Sequence, residues 1–124
     1  MSRDTKKILI VEDEEFLIEM YKTKFELENL QIISAFSSEQ AINILKKDMP
    51  DLILLDILLP RKSGITFLEE TKQIRNISKV PIIIFSNYDD PATRDKAKQL
   101  GVKDYLIKTE FTPNQLLIKI KKYF

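Results

Sequence analysis

The chain of 124 residues contains no cysteine and no histidine. Without cysteine there are no disulfides and no thiolate chemistry, and a cytoplasmic setting is the simpler interpretation. Without histidine the chain lacks the usual general base, the commonest metal ligand and any phosphohistidine of its own. Hydrolase triads and zinc sites built on imidazole are therefore excluded.

An excess of charge and a long apolar run are also missing. The chain has 20 basic and 19 acidic residues, so it has no bulk electrostatic reason to bind nucleic acid or a membrane. No apolar run approaches the roughly 18 residues of a membrane span, and the first residues do not resemble a signal peptide.

The length suits one domain, so we expect residues 1–124 to form a single domain with no output domain in this chain.

Short apolar runs alternate with longer segments of helical spacing. The five runs, rich in isoleucine, valine and leucine, are Ile8–Val11, Gln31–Ala35, Asp51–Leu55, Pro81–Phe85 and Asp104–Ile107. Runs of this length without polar alternation are typical of strands buried on both faces of a parallel sheet. The alternation predicts an α/β fold of five βα units, doubly wound, with right-handed crossovers and helices on both faces.

Spacing and capping residues locate several helices. The first helix is expected to bury one apolar stripe, formed by Phe16, Met20, Leu27 and Leu30. Ser37 and Thr112 each precede a glutamine by three residues, as in a capping box. Asp90 is a good cap for a fourth helix, expected at Ala92–Leu100, whose polar composition predicts light packing.

Reactive side chains stand at the carboxyl ends of four predicted strands. In chain order they are Glu12 and Asp13 after the first strand, Asp56 after the third, Ser86 after the fourth and Lys108 after the fifth. In an open α/β sheet, ligands bind beyond these ends, at the point where the strand order reverses. If the first and third strands are neighbours at that point, the three carboxylates converge.

Three clustered carboxylates repel one another, and unaided at least one would have a raised pKa. A divalent cation and the Lys108 ammonium would offset that repulsion, and oxygen ligands with open positions favour Mg²⁺. The remaining carboxylate is then free to attack phosphorus, while Mg²⁺ and Lys108 neutralise charge on the phosphoryl oxygens. The Ser86 hydroxyl can donate to a phosphoryl oxygen afterwards.

Each of these residues also has an ordinary structural explanation. Asp56 alone could simply end a strand, and Ser86 could be a turn residue. Glu14 and Glu15 are better explained as acids at a helix N-terminus, where the helix dipole favours them. The chemical interpretation therefore depends on all four strand ends together.

Four motifs connect the chain to a known family. They are Ile8-Leu-Ile-Val-Glu12-Asp13-Glu, Leu-Leu-Asp56-Ile-Leu-Leu-Pro60 with Gly64 four residues on, Ile-Ile-Ile-Phe-Ser86, and Asp104-Tyr105-Leu-Ile-Lys108. From Lys7 to about Tyr123 the chain resembles the receiver domain of two-component response regulators, of the CheY-like superfamily. The resemblance implies a flavodoxin-like sheet with the strand order 2-1-3-4-5.

The resemblance implies a phosphorylation switch. Asp56 would accept a phosphoryl group from a histidine kinase or a histidine phosphotransfer protein. Glu12, Asp13 and Asp56 would bind Mg²⁺, Asp13 directly, with the backbone carbonyl of Leu58 as a further ligand. Such a domain catalyses only its own phosphorylation and dephosphorylation, so it is not an enzyme acting on an external substrate.

The resemblance also implies how the switch is transmitted. Ser86 and Lys108 would contact the phosphoryl group, and Tyr105 would rotate inward when Ser86 moves. This motion would change the surface of the fourth helix, fifth strand and fifth helix and so regulate a downstream protein. A homodimer through the fourth and fifth helices is plausible. Alternatively, Tyr105 is an ordinary half-buried tyrosine of the fifth strand and has no switching role.

Three positions depart from the family pattern. Thr109 stands where a proline usually follows the lysine, often after a cis bond. Because a cis bond costs about 2.5–4 kcal/mol before a residue other than proline, we expect the Lys108–Thr109 bond to be trans and the loop to Phe111 to be shifted. Asn87 replaces a small residue, which would narrow access to Asp56, and Leu59 replaces methionine.

Other functions remain open. A phosphorylation-independent pseudo-receiver, a pure interaction module, is the main alternative, although Asp56, Asp13, Ser86 and Lys108 argue against it. A phosphatase with an aspartate nucleophile would need a second carboxylate two residues later, where Leu58 stands. A flavin-binding module would need a loop rich in glycine, serine or threonine after the first strand, and none is present.

The residues at positions 58 and 88 predict a long-lived phosphoryl group. In the family these positions influence how quickly the aspartyl phosphate hydrolyses, and here they carry Leu58 and Tyr88, neither of which is suited to guiding water. We expect slow loss of phosphate from Asp56, measured by intact mass after the phosphodonor is removed. A half-life of only seconds without a phosphatase would contradict this prediction.

Overall fold

The computed structural model describes residues 5–123, along which strands and helices alternate. The strands are β1 (Lys6–Val11), β2 (Leu30–Ala35), β3 (Leu52–Leu55), β4 (Ile82–Ser86) and β5 (Asp104–Ile107). The helices are α1 (Glu15–Glu26), α2 (Ser38–Leu45), α3 (Gly64–Thr71), α4 (Pro91–Gln99) and α5 (Pro113–Ile120). Short 3-10 turns occupy Ile77–Lys79, Lys108–Glu110 and Lys121–Tyr123. The predicted succession of five βα units is confirmed.

The strands form one parallel sheet in the order β2-β1-β3-β4-β5. β1 lies between β2 and β3, so the strand order reverses beside it, and this reversal is where ligands bind in open α/β sheets. The register pairs Val11 with Leu55 and Ser86 with Ile107. The strands therefore end close to one level, and the residues that follow them lie together at the carboxyl end of the sheet.

Two apolar cores explain why the strands have few polar residues. Alternate residues of each strand face opposite sides of the sheet. In β1, Ile8 and Ile10 pack in the core under α1 and α5, whereas Leu9 and Val11 pack in the core under α2, α3 and α4. Burial of each such side chain stabilises the fold by about 1.5–3 kcal/mol relative to exposure. The sheet edge that carries the polar residues is thus held by apolar packing on both faces.

The stripe predicted for α1 is wrong at Phe16 and Leu27, although Met20 packs against the core. Phe16 is 79% exposed and Leu27 is 77% exposed, and Leu30 belongs to β2. The buried face of α1 is formed instead by Ile18, Tyr21 and Phe25. These residues also follow the helical i, i+3, i+7 spacing. Because α1 carries two apolar stripes, its periodicity could not identify the one that faces the sheet.

The predicted helix caps are largely confirmed. Thr112 forms a complete capping box with Gln115, and Asp90 accepts a hydrogen bond from the Thr93 amide. Ser37 accepts from the Gln40 amide, but the Gln40 side chain accepts from the Phe36 amide instead of completing the box. α4 begins and ends one residue earlier than expected.

α4 packs lightly, as its polar composition predicted. Ala97 is the single buried residue among the nine of this helix.

Among residues 5–123, no helix is both long enough and apolar enough to cross a membrane.

The two faces of α1 predict a large effect of removing one phenylalanine ring and almost none of removing another. Phe25→Ala should lower the free energy of unfolding by about 3–5 kcal/mol, because it leaves a cavity in a packed core. Phe16→Ala serves as the matched control and should change it by no more than about 0.5 kcal/mol. Urea denaturation measures both, and an equal loss in the two variants would contradict the assignment of the buried face.

Candidate functional site

The structure brings four of the predicted site residues to one end of the sheet. Glu12 follows β1, Asp56 follows β3 and Lys108 follows β5, while Asp13 stands next to Glu12 in the turn before α1. Main-chain hydrogen bonds fix the backbone of Glu12 and Asp56. The Glu12 amide donates to the Ala35 carbonyl at 2.9 Å, and the Asp56 amide donates to the Val11 carbonyl at 3.0 Å. The acidic residues are therefore held by the main-chain hydrogen bonds of the sheet.

Three carboxylates converge as the sequence predicted. Glu12, Asp13 and Asp56 each offer an oxygen within 4.8 Å of the others. Glu12 and Asp56 are buried, with 3% and 6% of their surface exposed, whereas Asp13 is exposed. The cluster is therefore closed towards the sheet and open to solvent on the side of Asp13.

The Lys108 ammonium bridges the two buried carboxylates. Its Nζ lies 2.7 Å from Asp56 Oδ2 and also donates a hydrogen bond to Glu12 Oε1. The side chain of Lys108 is only 9% exposed, so solvent screens these contacts less than it would screen a surface pair. One cation is thus shared by two buried carboxylates.

Burial and pairing shift the pKa values of this group in defined directions. Burial raises the pKa of Glu12 above its usual 4.5, although the hydrogen bonds from Lys108 and from the Glu14 amide oppose the shift. Burial alone would lower the pKa of Lys108, but its hydrogen bonds to Asp56 and Glu12 more than offset that effect and leave it raised. Lys108 therefore stays protonated at neutral pH.

Backbone amides orient the remaining carboxylate oxygens. Glu12 Oε2 accepts from the Glu14 amide at 3.0 Å, and Asp56 Oδ1 accepts from the Leu58 amide at 3.2 Å. Leu58 itself is 57% exposed. Both buried carboxylates are therefore held by a cation on one oxygen and an amide on the other.

Gly64 allows the segment after Asp56 to pack against the start of α3. Its amide donates to the Ile57 carbonyl at 2.8 Å. A Cβ at this position would lie 2.5 Å from the Asp56 carbonyl oxygen and 2.9 Å from Ile57 Cα, closer than unstrained packing permits. The glycine of the third-strand motif thus has a steric role beside the site.

Ser86 and Tyr105 are not joined to the cluster by hydrogen bonds. Ser86 is fully buried, and its Oγ accepts from the Tyr88 amide at 3.1 Å. Tyr105 is half-buried, and its hydroxyl donates to the Tyr88 carbonyl. Among the hydrogen bonds of residues 5–123, both side chains therefore contact the β4–α4 loop and neither contacts Asp56.

Two contacts at this end of the sheet were missed by the sequence analysis. The Arg94 guanidinium lies over the Tyr105 ring, 4.6 Å from its centroid, which is a cation–π geometry. Asn87 Oδ1 accepts from the Thr109 amide at 3.1 Å. The first contact joins α4 to β5 and the second joins two loops, and no spacing rule specifies either. The Lys108–Thr109 bond is trans, as predicted.

Comparison with known proteins agrees with this fold. The family model for the response regulator receiver domain matches residues 8–121. The chain therefore belongs to the family of response-regulator receiver domains. This assignment accounts for the flavodoxin-like strand order of the sheet.

Individual relatives are similar over nearly the whole chain. A protein named probable transcriptional regulator ycf27 of Guillardia theta is 34% identical over 93% of this chain and 44% of its own length. The phosphate regulon transcriptional regulatory protein PhoB of Escherichia coli is 34% identical over 94% of this chain and 50% of its own length. The chain thus spans about half the length of the curated relatives it matches.

A solved structure confirms the fold. The CheY-like response regulator receiver domain protein of Methanospirillum hungatei has a TM-score of 0.88 and 26% identity, covering 96% of this chain and 93% of that one.

The bridging role of Lys108 predicts a costly and pH-dependent substitution. Lys108→Met leaves two buried carboxylates without a cation and should lower the free energy of unfolding by about 3 kcal/mol at neutral pH without divalent cations. The loss should shrink as the pH falls through the raised pKa of Glu12, because protonation removes one charge. Chemical denaturation across pH measures both effects.

Two further variants test the cause of that loss. Lys103→Met removes an exposed lysine and should cost no more than about 0.5 kcal/mol. Adding Asp56→Asn to Lys108→Met should recover part of the lost stability, because it removes one of the unpaired charges. A loss that is independent of pH and of Asp56 would contradict the electrostatic explanation.

Proposed function

We propose that Asp56 accepts a phosphoryl group from a histidine kinase or a histidine phosphotransfer protein. The observation that carries the proposal is a buried carboxylate oxygen 2.7 Å from a lysine ammonium, beside two further carboxylates at the sheet edge. The modified domain would then regulate a downstream protein. The activity of the whole protein is part of this proposal, because the matched relatives are about twice as long.

The position of Asp56 favours it over the other two acids as the nucleophile. It follows β3, which lies between β1 and β4 in the sheet. Glu12 and Asp13 stand on its β1 side, and Ser86 and Lys108 stand on its β4 and β5 side. A phosphoryl group on Asp56 would therefore have acidic metal ligands on one flank and hydrogen-bond donors on the other.

The transfer would exchange one bond to phosphorus for another. An Asp56 carboxylate oxygen forms the new P–O bond while the P–N bond of the donor phosphohistidine breaks, and the electron pair leaves on the imidazole nitrogen. The Lys108 ammonium, already in place beside the Asp56 oxygen, stabilises negative charge on the phosphoryl oxygens during the transfer. Its raised pKa keeps it charged throughout.

The three carboxylates fit a magnesium site. They are hard oxygen donors within 4.8 Å of one another, and the exposed Asp13 leaves one side open. Such an arrangement suits Mg²⁺, which takes a few carboxylates and keeps water or phosphate oxygens as its other ligands. Glu12, Asp13, Asp56 and the Leu58 carbonyl would hold the ion. When bound it would neutralise charge on the phosphoryl oxygens.

The β4–α4 loop would transmit the modification. The Ser86 hydroxyl would move towards a phosphoryl group on Asp56 and donate a hydrogen bond to it, and the loop would follow because the Tyr88 amide donates to Ser86 Oγ. The Tyr105 hydroxyl is bonded to the carbonyl of the same Tyr88, so a movement of this loop would release Tyr105. The surface of α4, β5 and α5 would change, and a downstream protein or a second copy of the chain would bind there. The setting would be cytoplasmic.

Phosphorylation by a small donor tests the proposal directly. With Mg²⁺ and acetyl phosphate the wild-type chain should gain one phosphoryl group by intact mass, and Asp56→Asn should gain none. Chelation of Mg²⁺ should prevent the gain in the wild type. Asp48→Asn is a matched control, because Asp48 forms its ion pair with Lys7 at the opposite end of the sheet, and it should behave as the wild type.

A lack of phosphorylation would indicate an interaction module instead of a phosphorylation switch. If the wild type and Asp56→Asn are equally unmodified, the chain does not act as a phosphoacceptor. The fold would then serve as an interaction module that works without phosphorylation.

A further inference from the structure

We infer that Asn87 is a positioning residue for Lys108, acting through the backbone amide of Thr109. The inference rests on the proposed function, because it concerns the lysine beside the phosphoacceptor. Asn87 follows Ser86 at the end of β4, and Thr109 directly follows Lys108 at the end of β5. The Thr109 amide donates to Asn87 Oδ1 at 3.1 Å, which joins the two loops.

The hydrogen bond requires a suitable residue at each of the two positions. A proline at position 109 has no amide hydrogen to donate, and a small residue at position 87 has no side-chain acceptor to offer. Both positions depart from the family pattern, and the structure joins them in one hydrogen bond. The asparagine and the threonine thus form a matched pair that supplies the contact between the loops.

The contact lies where it can restrict Lys108. A lysine side chain is a flexible four-carbon stem with a single point charge, so the placement of its ammonium depends on its backbone. Lys108 begins a 3-10 turn, and its carbonyl accepts from the Phe111 amide at 3.2 Å. The Asn87 hydrogen bond holds the next residue of that turn. The lysine backbone is therefore held on its C-terminal side while Nζ reaches Glu12 and Asp56.

A purely structural role makes a different prediction. If the hydrogen bond only stabilises two exposed loops, its loss would lower thermal stability without changing the environment of the Lys108 amine. A positioning role requires that the amine itself become more accessible when the bond is lost. Chemical labelling of lysines separates the two roles, because it reports on Lys108 without depending on phosphorylation.

The test uses the full chain with Asn87→Ala, Asn87→Asp and Asn114→Ala. Asn87→Ala removes the acceptor, Asn87→Asp keeps an acceptor oxygen, and Asn114 is an exposed asparagine of α5. Trace labelling with acetic anhydride is quantified at Lys108 and at Lys7 by peptide mass spectrometry. Asn87→Ala should raise the labelling of Lys108 about two- to tenfold, the range expected for the loss of one hydrogen bond, and leave Lys7 unchanged.

Asn87→Asp should restore the low labelling of Lys108, and Asn114→Ala should match the wild type. The rate of phosphorylation by acetyl phosphate should fall in Asn87→Ala by a similar factor and stay unchanged in Asn114→Ala. Unchanged labelling of Lys108 in Asn87→Ala overturns the inference, whatever the thermal stability shows. Raised labelling with a wild-type phosphorylation rate overturns it as well.

Failure of the proposed function would look different. In that case the wild type itself would gain no phosphoryl group, and the labelling of Lys108 would still show whether Asn87 holds the lysine. If Asn87→Ala changes the labelling of Lys108 but the wild type is never phosphorylated, the proposed phosphorylation of Asp56 is wrong. The inference that Asn87 positions Lys108 would still hold.

Discussion

The contact between the Lys108 ammonium and two buried carboxylates is the interaction on which this end of the molecule depends. An isolated buried charge costs several kcal/mol even after the protein relaxes. Glu12 and Asp56 are both almost fully buried, and Lys108 compensates them with one hydrogen bond to each. Since one cation faces three acids, the cluster keeps a net negative charge. It is therefore a site that still attracts a cation.

The parallel sheet makes this concentration of charge possible. The strands end close to one level, and the amides of Glu12 and Asp56 are bonded to neighbouring strands. Apolar side chains fill both faces of the sheet beneath the site, and their burial offsets the repulsion at the rim. The arrangement is typical of functional sites, where local repulsion persists because the surrounding structure holds it.

The features of the molecule that the sequence predicts follow from local rules. Apolar runs located the strands to within one or two residues, since a strand buried on both faces leaves little choice of residue type. The residues after each strand indicated the site because parallel strands bring their carboxyl ends to one edge. The strand order itself came from the resemblance to receiver domains, and the structure confirms it.

The remaining features depend on tertiary contacts. α1 has two apolar stripes, and only its packing on the sheet shows that Phe25 is buried and Phe16 exposed. The partner of Ser86 is an amide of its own loop, and that of Asn87 is the Thr109 amide, 22 residues away in sequence. These bonds are set by loop conformations and by loops that meet only in the folded chain. Periodicity and motif spacing carry no information about them.

Mapping the modified residue shows most directly whether Asp56 is the phosphoacceptor. Borohydride reduces an aspartyl phosphate to homoserine, so treatment of the chain after incubation with Mg²⁺ and acetyl phosphate marks the acceptor for tandem mass spectrometry. If Asp56 is the phosphoacceptor, homoserine should appear at position 56, and Glu12 and Asp13 should be unmodified. Reduction at Asp13, or at no carboxylate of the cluster, would contradict that role for Asp56.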